Sequence, residues 1–142
     1  MKLGQLTPQL YCAPQLTPEW LAAIQAAGIQ TVLCNRPDGE EPGQPSFAEV
    51  TEWLQKAGIQ TVYLPTVMSQ ITPQLVAQFQ AACTDAQQPV LAYCRTGTRS
   101  TVLWALGQVQ QGRSVADLTT VAVQAGIDLT PAAPLLQAYA AG

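Results

Sequence analysis

The hexapeptide Ala-Gly-Ile-Gln-Thr-Val occurs twice, at Ala27 to Val32 and at Ala57 to Val62. Each copy follows an amphipathic stretch, and in each a glycine precedes a β-branched run. Glycine is favoured just past a helix end, where the backbone turns left-handed, and β-branched residues favour extended chain. The pair predicts helix, stop and strand in succession, two times over. The period does not continue, so this is a repeated βα unit and not a solenoid.

Helix starts are marked by Thr17-Pro18-Glu19, Thr72-Pro73 and Thr130-Pro131, each a capping residue before proline at the first helical position. Ser46 with Glu49 forms a capping box, and Ser114 with Asp117 a weaker one. Strands are expected at Leu10–Cys12, Ile29–Cys34, Ile59–Leu64 and Val90–Tyr93, the last three apolar on both faces as in a parallel sheet covered by helices. Further helices are expected at about 101–111, 115–125 and 131–140. The alternation gives an α/β fold: three layers, a mainly parallel sheet with helices on both faces, and a single domain over residues 1–142.

Composition narrows the chemistry. Histidine is absent, which removes Ser-His-Asp triads, Cys-His dyads and imidazole metal sites from this chain. With 11% charged residues and a net charge of -3, six basic residues cannot build the basic face of a nucleic-acid binder or a polybasic membrane anchor. The start, MKLGQLTPQLYCAP, has no apolar core of a signal peptide, and no apolar run approaches the roughly 18 residues of a membrane helix. A cytoplasmic protein without metal or cofactor is expected. Cys12, Cys34, Cys83 and Cys94 show no metal-type spacing. Each is by default a buried thiol, and one has surroundings that argue otherwise.

That one is Cys94. The segment Val90-Leu-Ala-Tyr-Cys-Arg-Thr-Gly-Thr-Arg-Ser100 places it at the carboxyl end of an apolar strand, before a glycine-containing loop and a helix that begins near Ser100. Ligands of open α/β sheets bind at this edge. Backbone amides of Arg95, Thr96, Gly97 and Thr98 can converge on an anion, helped by the helix dipole, with Gly97 permitting the turn. Arg95 and Arg99 add two of the six basic charges. Such a loop favours the thiolate of Cys94 and holds an oxyanion of phosphate or sulfur type, with Arg99 as a bidentate clamp.

CRTGTRS, together with Asn35-Arg36-Pro37-Asp38-Gly39-Glu40-Glu41-Pro42-Gly43-Gln44-Pro45 and the start LTPQLYCAPQLTPE, resembles the phosphatase-like domain family found alone or in beta-lactamase-hydrolase-like proteins. The resemblance runs from about residue 3 to residue 130. It implies a dual-specificity-phosphatase-like fold, Cys94 as nucleophile, Arg99 on the phosphoryl oxygens, and Ser100 hydrogen-bonding the thiolate as it leaves a phosphocysteine. Asp38, after the strand ending at Cys34, is the candidate acid for the leaving oxygen, with Glu40 and Glu41 competing and a plain Pro-Asp-Gly turn as the structural alternative. Arg36 either pairs with these acids or extends the anion site.

The chain departs from the His-Cys-x5-Arg pattern of tyrosine phosphatases. Tyr93 replaces the histidine, four residues instead of five separate Cys94 from Arg99, and Leu64 to Thr72 contains no acid. The shorter Cys-Arg-x-Gly-x-Arg loop also resembles that of rhodaneses, which carry a persulfide on cysteine. Three functions stay open on the same residues. They are a cysteine-dependent phosphatase acting on a phosphate monoester, a sulfurtransferase carrying a persulfide on Cys94, and a non-catalytic anion-binding module. Cys34 is either a resolving thiol for oxidised Cys94 or a buried small hydrophobe. Trp20, Trp53 and Trp104 are read as core, and Asp85, Asp117 and Asp128 as turn and cap residues.

Overall fold

Both copies of the repeated hexapeptide stop a helix by the same hydrogen bonds. In the computed structural model, which describes residues 2–87 and 89–141, helix α1 (Leu21–Ala26) ends with Gly28 at φ +72°. The Gly28 amide donates to Gln25 O (3.0 Å) and the Ile29 amide to Ile24 O (3.2 Å). Helix α2 (Phe47–Lys56) ends likewise, with Gly58 at φ +80°, Gly58 N to Gln55 O (2.9 Å) and Ile59 N to Leu54 O (3.1 Å). This is the double bond of a Schellman stop, sealed by Ile29 on Ile24 and Ile59 on Leu54 in one core cluster. Ala125-Gly126-Ile127 closes α5 (Val115–Gln124) in the same way.

After each of the first two stops the chain enters a strand, β3 (Thr31–Cys34) and β4 (Gln60–Tyr63). With β2 (Leu10–Ala13) and β5 (Val90–Tyr93) they form parallel pairs, and β1 (Gly4–Thr7) adds antiparallel to β2, in the order β1-β2-β5-β3-β4. Alternate residues of the central strands face opposite layers. Leu33, Val90 and Ala92 pack with α3 (Pro73–Asp85), α4 (Thr98–Gln110), α5 and α6 (Ala133–Ala141), whereas Val32, Cys34, Leu91 and Tyr93 pack with α1 and α2. The three-layer α/β reading therefore holds. Helix α4 runs through the larger layer with every residue from Ser100 to Gly107 buried, which accounts for its uninterrupted apolar run. Among the described residues no helix is long and apolar enough to cross a membrane.

Several expectations are corrected. The first hairpin strand, β1, went unread because its four residues Gly-Gln-Leu-Thr carry only one buried apolar side chain, Leu6. β4 is not covered on both faces. It is the sheet edge, with Val62 38% and Tyr63 39% exposed. Helix α4 starts at Thr98, not Ser100, because Gly97 already makes the turn. Thr130 lies inside a short 3-10 turn (Thr130–Ala132), and Asp128 Oδ1 accepts from its amide (2.9 Å). The capping box at Ser46 and Glu49 and the caps at Thr72 and Ser114 form, while the Thr17 side chain makes no cap bond.

Gly4 marks the tightest approach of the hairpin to α5. A Cβ there would stand 2.6 Å from Ala125 O and 2.9 Å from Cys12 Sγ. The carbonyl is backbone and cannot swing aside. Gly4→Ala is expected to destabilise by about 1–3 kcal/mol, read as a lower urea midpoint at unchanged slope.

Candidate active site

The site is assembled where three parallel strands end together. β5 runs out at Tyr93, and Cys94 follows as its amide donates to Ala13 O (3.4 Å). The chain then turns through Arg95 and Thr96 to Gly97, whose φ of +87° is left-handed. That geometry aims the Gly97 amide back at the sulfur, N to Cys94 Sγ being 3.1 Å. An alanine at 97 would be strained, and its Cβ would meet Ile127 Cδ1 at 3.2 Å and Ala13 O at 3.4 Å. Thr101 fastens the turn from the next helical turn, both its amide (3.2 Å) and its hydroxyl (2.9 Å) donating to Gly97 O. The Thr96 hydroxyl donates to Thr98 Oγ1 (3.0 Å). Cys94 is 1% exposed, so its sulfur forms the floor of the loop and not its rim.

Arg99, in the first turn of α4, reaches across to the loop after β3. Its Nη1 lies 2.6 Å from Glu40 Oε2 and its Nη2 2.9 Å from Glu40 Oε1. Nη1 also donates to Thr66 O (2.9 Å). Hydrogen bonding to Glu40 raises the guanidinium above its ordinary value, with a smaller contribution from Cys94. Glu40 also accepts from Arg36 Nε (3.0 Å). Arg99, then Arg36, hold the Glu40 carboxyl down at about 2. Glu40 is therefore ionised at neutral pH and has no proton to donate. Because its value is lowered on folding, the stability it contributes is present above the ordinary carboxylate range and is lost as the pH falls toward about 2.

Arg36 is 4% exposed and fully engaged: Nη1 donates to Gln15 Oε1 (3.1 Å) and Nη2 lies 3.6 Å from Glu41 Oε1. Of its two readings, pairing with the acids is the one observed. Arg95 Nε stands 2.8 Å from Glu41 Oε1. Asp38 Oδ1 accepts from the Phe47 amide at the first turn of α2 (2.8 Å), and the Asp38 amide donates to the Tyr63 hydroxyl (3.0 Å). Ser100 Oγ donates to Asn35 Oδ1 (2.8 Å). Tyr93, in the position of the pattern's histidine, lies in the α1/α2 core beside Cys34 and Gln15, and burial pushes its hydroxyl far up.

Sequence reasoning passed over Asn35. Its amide donates to Tyr93 O (2.8 Å), its Nδ2 to Leu64 O (2.9 Å), and its carbonyl accepts from Thr66 N (3.0 Å). A fully buried asparagine directly after an apolar strand is the signal that was available. Gln15, Gln44 and Thr66 were missed as well: the first two lie in the segments that carry the family resemblance, but their partners are distant in sequence or belong to the backbone. Cys34 Sγ donates to Arg36 O (3.3 Å) from within the α1/α2 core, and burial raises the thiols of Cys34 and Cys12 and pushes Cys83 up to about 12.

A loop of this kind at the carboxyl edge of this sheet defines a phosphatase-like domain with a dual-specificity/tyrosine-phosphatase type of fold. A Neisseria meningitidis protein provisionally described as a phosphatase superimposes with a TM-score of 0.94 at 37% identity, over 98% of this chain and 99% of that chain. The core catalytic domain of a PP-IP phosphatase from S. cerevisiae, solved with citrate, shares the fold at a TM-score of 0.67 and 16% identity, over 96% of this chain and 91% of that one. More narrowly, residues 2–111 match the model of the beta-lactamase hydrolase-like protein, phosphatase-like domain, and the chain belongs to that family. The beta-lactamase hydrolase-like protein of Agrobacterium fabrum is 31% identical over 142 residues, 99% of this chain and 33% of the relative. The chain thus spans about a third of that curated relative's length.

Proposed function

We propose that the chain is a cysteine-dependent phosphatase that hydrolyses a small phosphate monoester through a phosphocysteine on Cys94. The observation that carries this reading is the Gly97 amide on Cys94 Sγ (3.1 Å) at the start of α4, with Arg99 on the same turn. The Cys94 thiolate attacks phosphorus, the ester oxygen leaves with the bond pair, and water then attacks the phosphocysteine and releases phosphate and the thiolate. Loop amides and the helix N-terminus meet the charge that develops on the phosphoryl oxygens. Glu40 takes the Nη1/Nη2 edge of Arg99, which leaves the Nε edge for the anion. Ser100 acts through Asn35 to fix the helix start.

The proton for the leaving oxygen is the test of Asp38, which keeps one carboxylate oxygen outside its bond to Phe47. Asp38→Asn is expected to slow hydrolysis of an alkyl phosphate at least tenfold while changing an activated aryl phosphate little. Equal losses on both substrates remove Asp38 from the role.

A second reading is favoured by one observation: Glu40 is ionised and Asp38 serves α2, so proton donation is less built-in than the anion loop. Sulfane-sulfur transfer needs no acid. The thiolate takes the outer sulfur of thiosulfate and releases sulfite, and the Cys94 persulfide passes that sulfur to cyanide as thiocyanate. Assaying one preparation for phosphate from p-nitrophenyl phosphate and for thiocyanate separates the two. Phosphate release without thiocyanate supports the first reading, the reverse supports the second, and anion binding with neither product leaves a binding module.

A further inference from the structure

Three of the chain's six basic residues, Arg36, Arg95 and Arg99, surround the Cys94 loop, and they meet the carboxylates of Glu40 and Glu41. Three guanidinium charges face two carboxylates and, on the reading above, the Cys94 thiolate, so no guanidinium charge is left over to draw in a polyanion. The acids do not sit on a loose segment. Gln44 Oε1 accepts from the amides of Glu40 (3.0 Å) and Glu41 (3.3 Å), Gln44 Nε2 donates to Pro37 O (2.9 Å), and Asp38 is tied to Phe47. Glu41 stands at the rim, 48% exposed, on Arg95, itself 63% exposed. On the opposite side, a cleft of about 670 Å³ reaches the loop at Thr96, lined by Tyr11, Pro14, Val123 and Ile127 among others, and Lys2 is its one charged lining residue.

From this arrangement we infer that Glu40 and Glu41 set the substrate class of the site: a molecule with one anionic group on an uncharged, partly apolar body. The inference rests on the reading of Cys94 and its loop as an anion-transfer site. One phosphoryl group takes the loop amides and the free edge of Arg99. A second or third phosphate on the same molecule finds Arg36 buried and bonded, Arg95 paired with Glu41, and two carboxylates facing it. Discrimination of this kind comes from a repulsive element placed against the wrong ligand as much as from attraction to the right one.

The test measures inositol hexakisphosphate binding by calorimetry and kcat/KM for p-nitrophenyl phosphate on the full chain. Wild type, Glu41→Gln and a distant control, Glu52→Gln, are compared. Glu52 is exposed and pairs only with Lys56 among the described residues (3.4 Å). Glu41→Gln is expected to bind the polyphosphate about tenfold more tightly, with a gain that shrinks in added salt, while the monoester gains less than threefold. Glu52→Gln should match wild type. Unchanged polyphosphate affinity in Glu41→Gln, an equal gain for both ligands, or a wild type that already prefers the polyphosphate would overturn the inference. If the wild type turns over no monoester, the phosphatase reading fails, and the binding comparison, run against inorganic phosphate, still decides the question of class.

Discussion

Cys94→Ser is expected to lower phosphate release by on the order of 10⁴-fold or more, with the folded structure intact. A serine hydroxyl occupies nearly the same volume and still accepts the Gly97 amide, so the 3.1 Å contact survives in a shorter form. What disappears is the sulfur nucleophile of the covalent step, which an alcohol replaces poorly. The assay is phosphate release under single-turnover conditions, with circular dichroism to establish folding. Retention of a tenth of the wild-type rate would place the chemistry elsewhere. Accessibility is checked in the same preparation. Cys94 is 1% exposed, and iodoacetamide at neutral pH should nonetheless label it ahead of Cys12, Cys34 and Cys83 and be blocked by inorganic phosphate. If the other three label first, no substrate reaches this sulfur.

Arg99→Lys should cost about 10²- to 10³-fold in kcat/KM, although the charge is kept. Arg99 makes two bonds to Glu40 and one to Thr66 O, and keeps a further edge free, all from one planar group. An ammonium cannot serve three directions in a plane. It will follow Glu40 and leave the anion with loop amides alone. The expected signature is a rise in KM together with a fall in kcat, and weaker protection by phosphate against iodoacetamide. A loss below fivefold would show that the amides carry the oxyanion without the guanidinium.

The Cys94 loop was readable because the residues that form its turn are contiguous. The apolar strand, the cysteine, the left-handed glycine and the helix lie within eleven residues, Val90 to Ser100. The helix stops were readable for the same reason, since the amides of Gly28 and Gly58 reach carbonyls three residues back and those of Ile29 and Ile59 carbonyls five back. Pairings between distant segments were not. Nothing near Glu40 shows that its partner is Arg99, 59 residues on, rather than a proton. Asn35 finds Ser100 at a separation of 65. β4 misled because its repeat twin, β3, is central, and an identical hexapeptide reports local backbone preference but not its place in the sheet. β1 fell below notice because pairing with β2, not its own composition, makes it a strand.

The asparagine after β3 closes a ring. Ser100 donates to its side chain, that side chain donates to Leu64, its backbone receives Thr66, and the carbonyl of Thr66 holds Arg99, the neighbour of Ser100. Helix start and guanidinium are thereby one clamped body whose orientation is settled during folding, before any ligand arrives. On the proposed function, an incoming anion would find its donors already aimed, with little of its binding free energy consumed in ordering them.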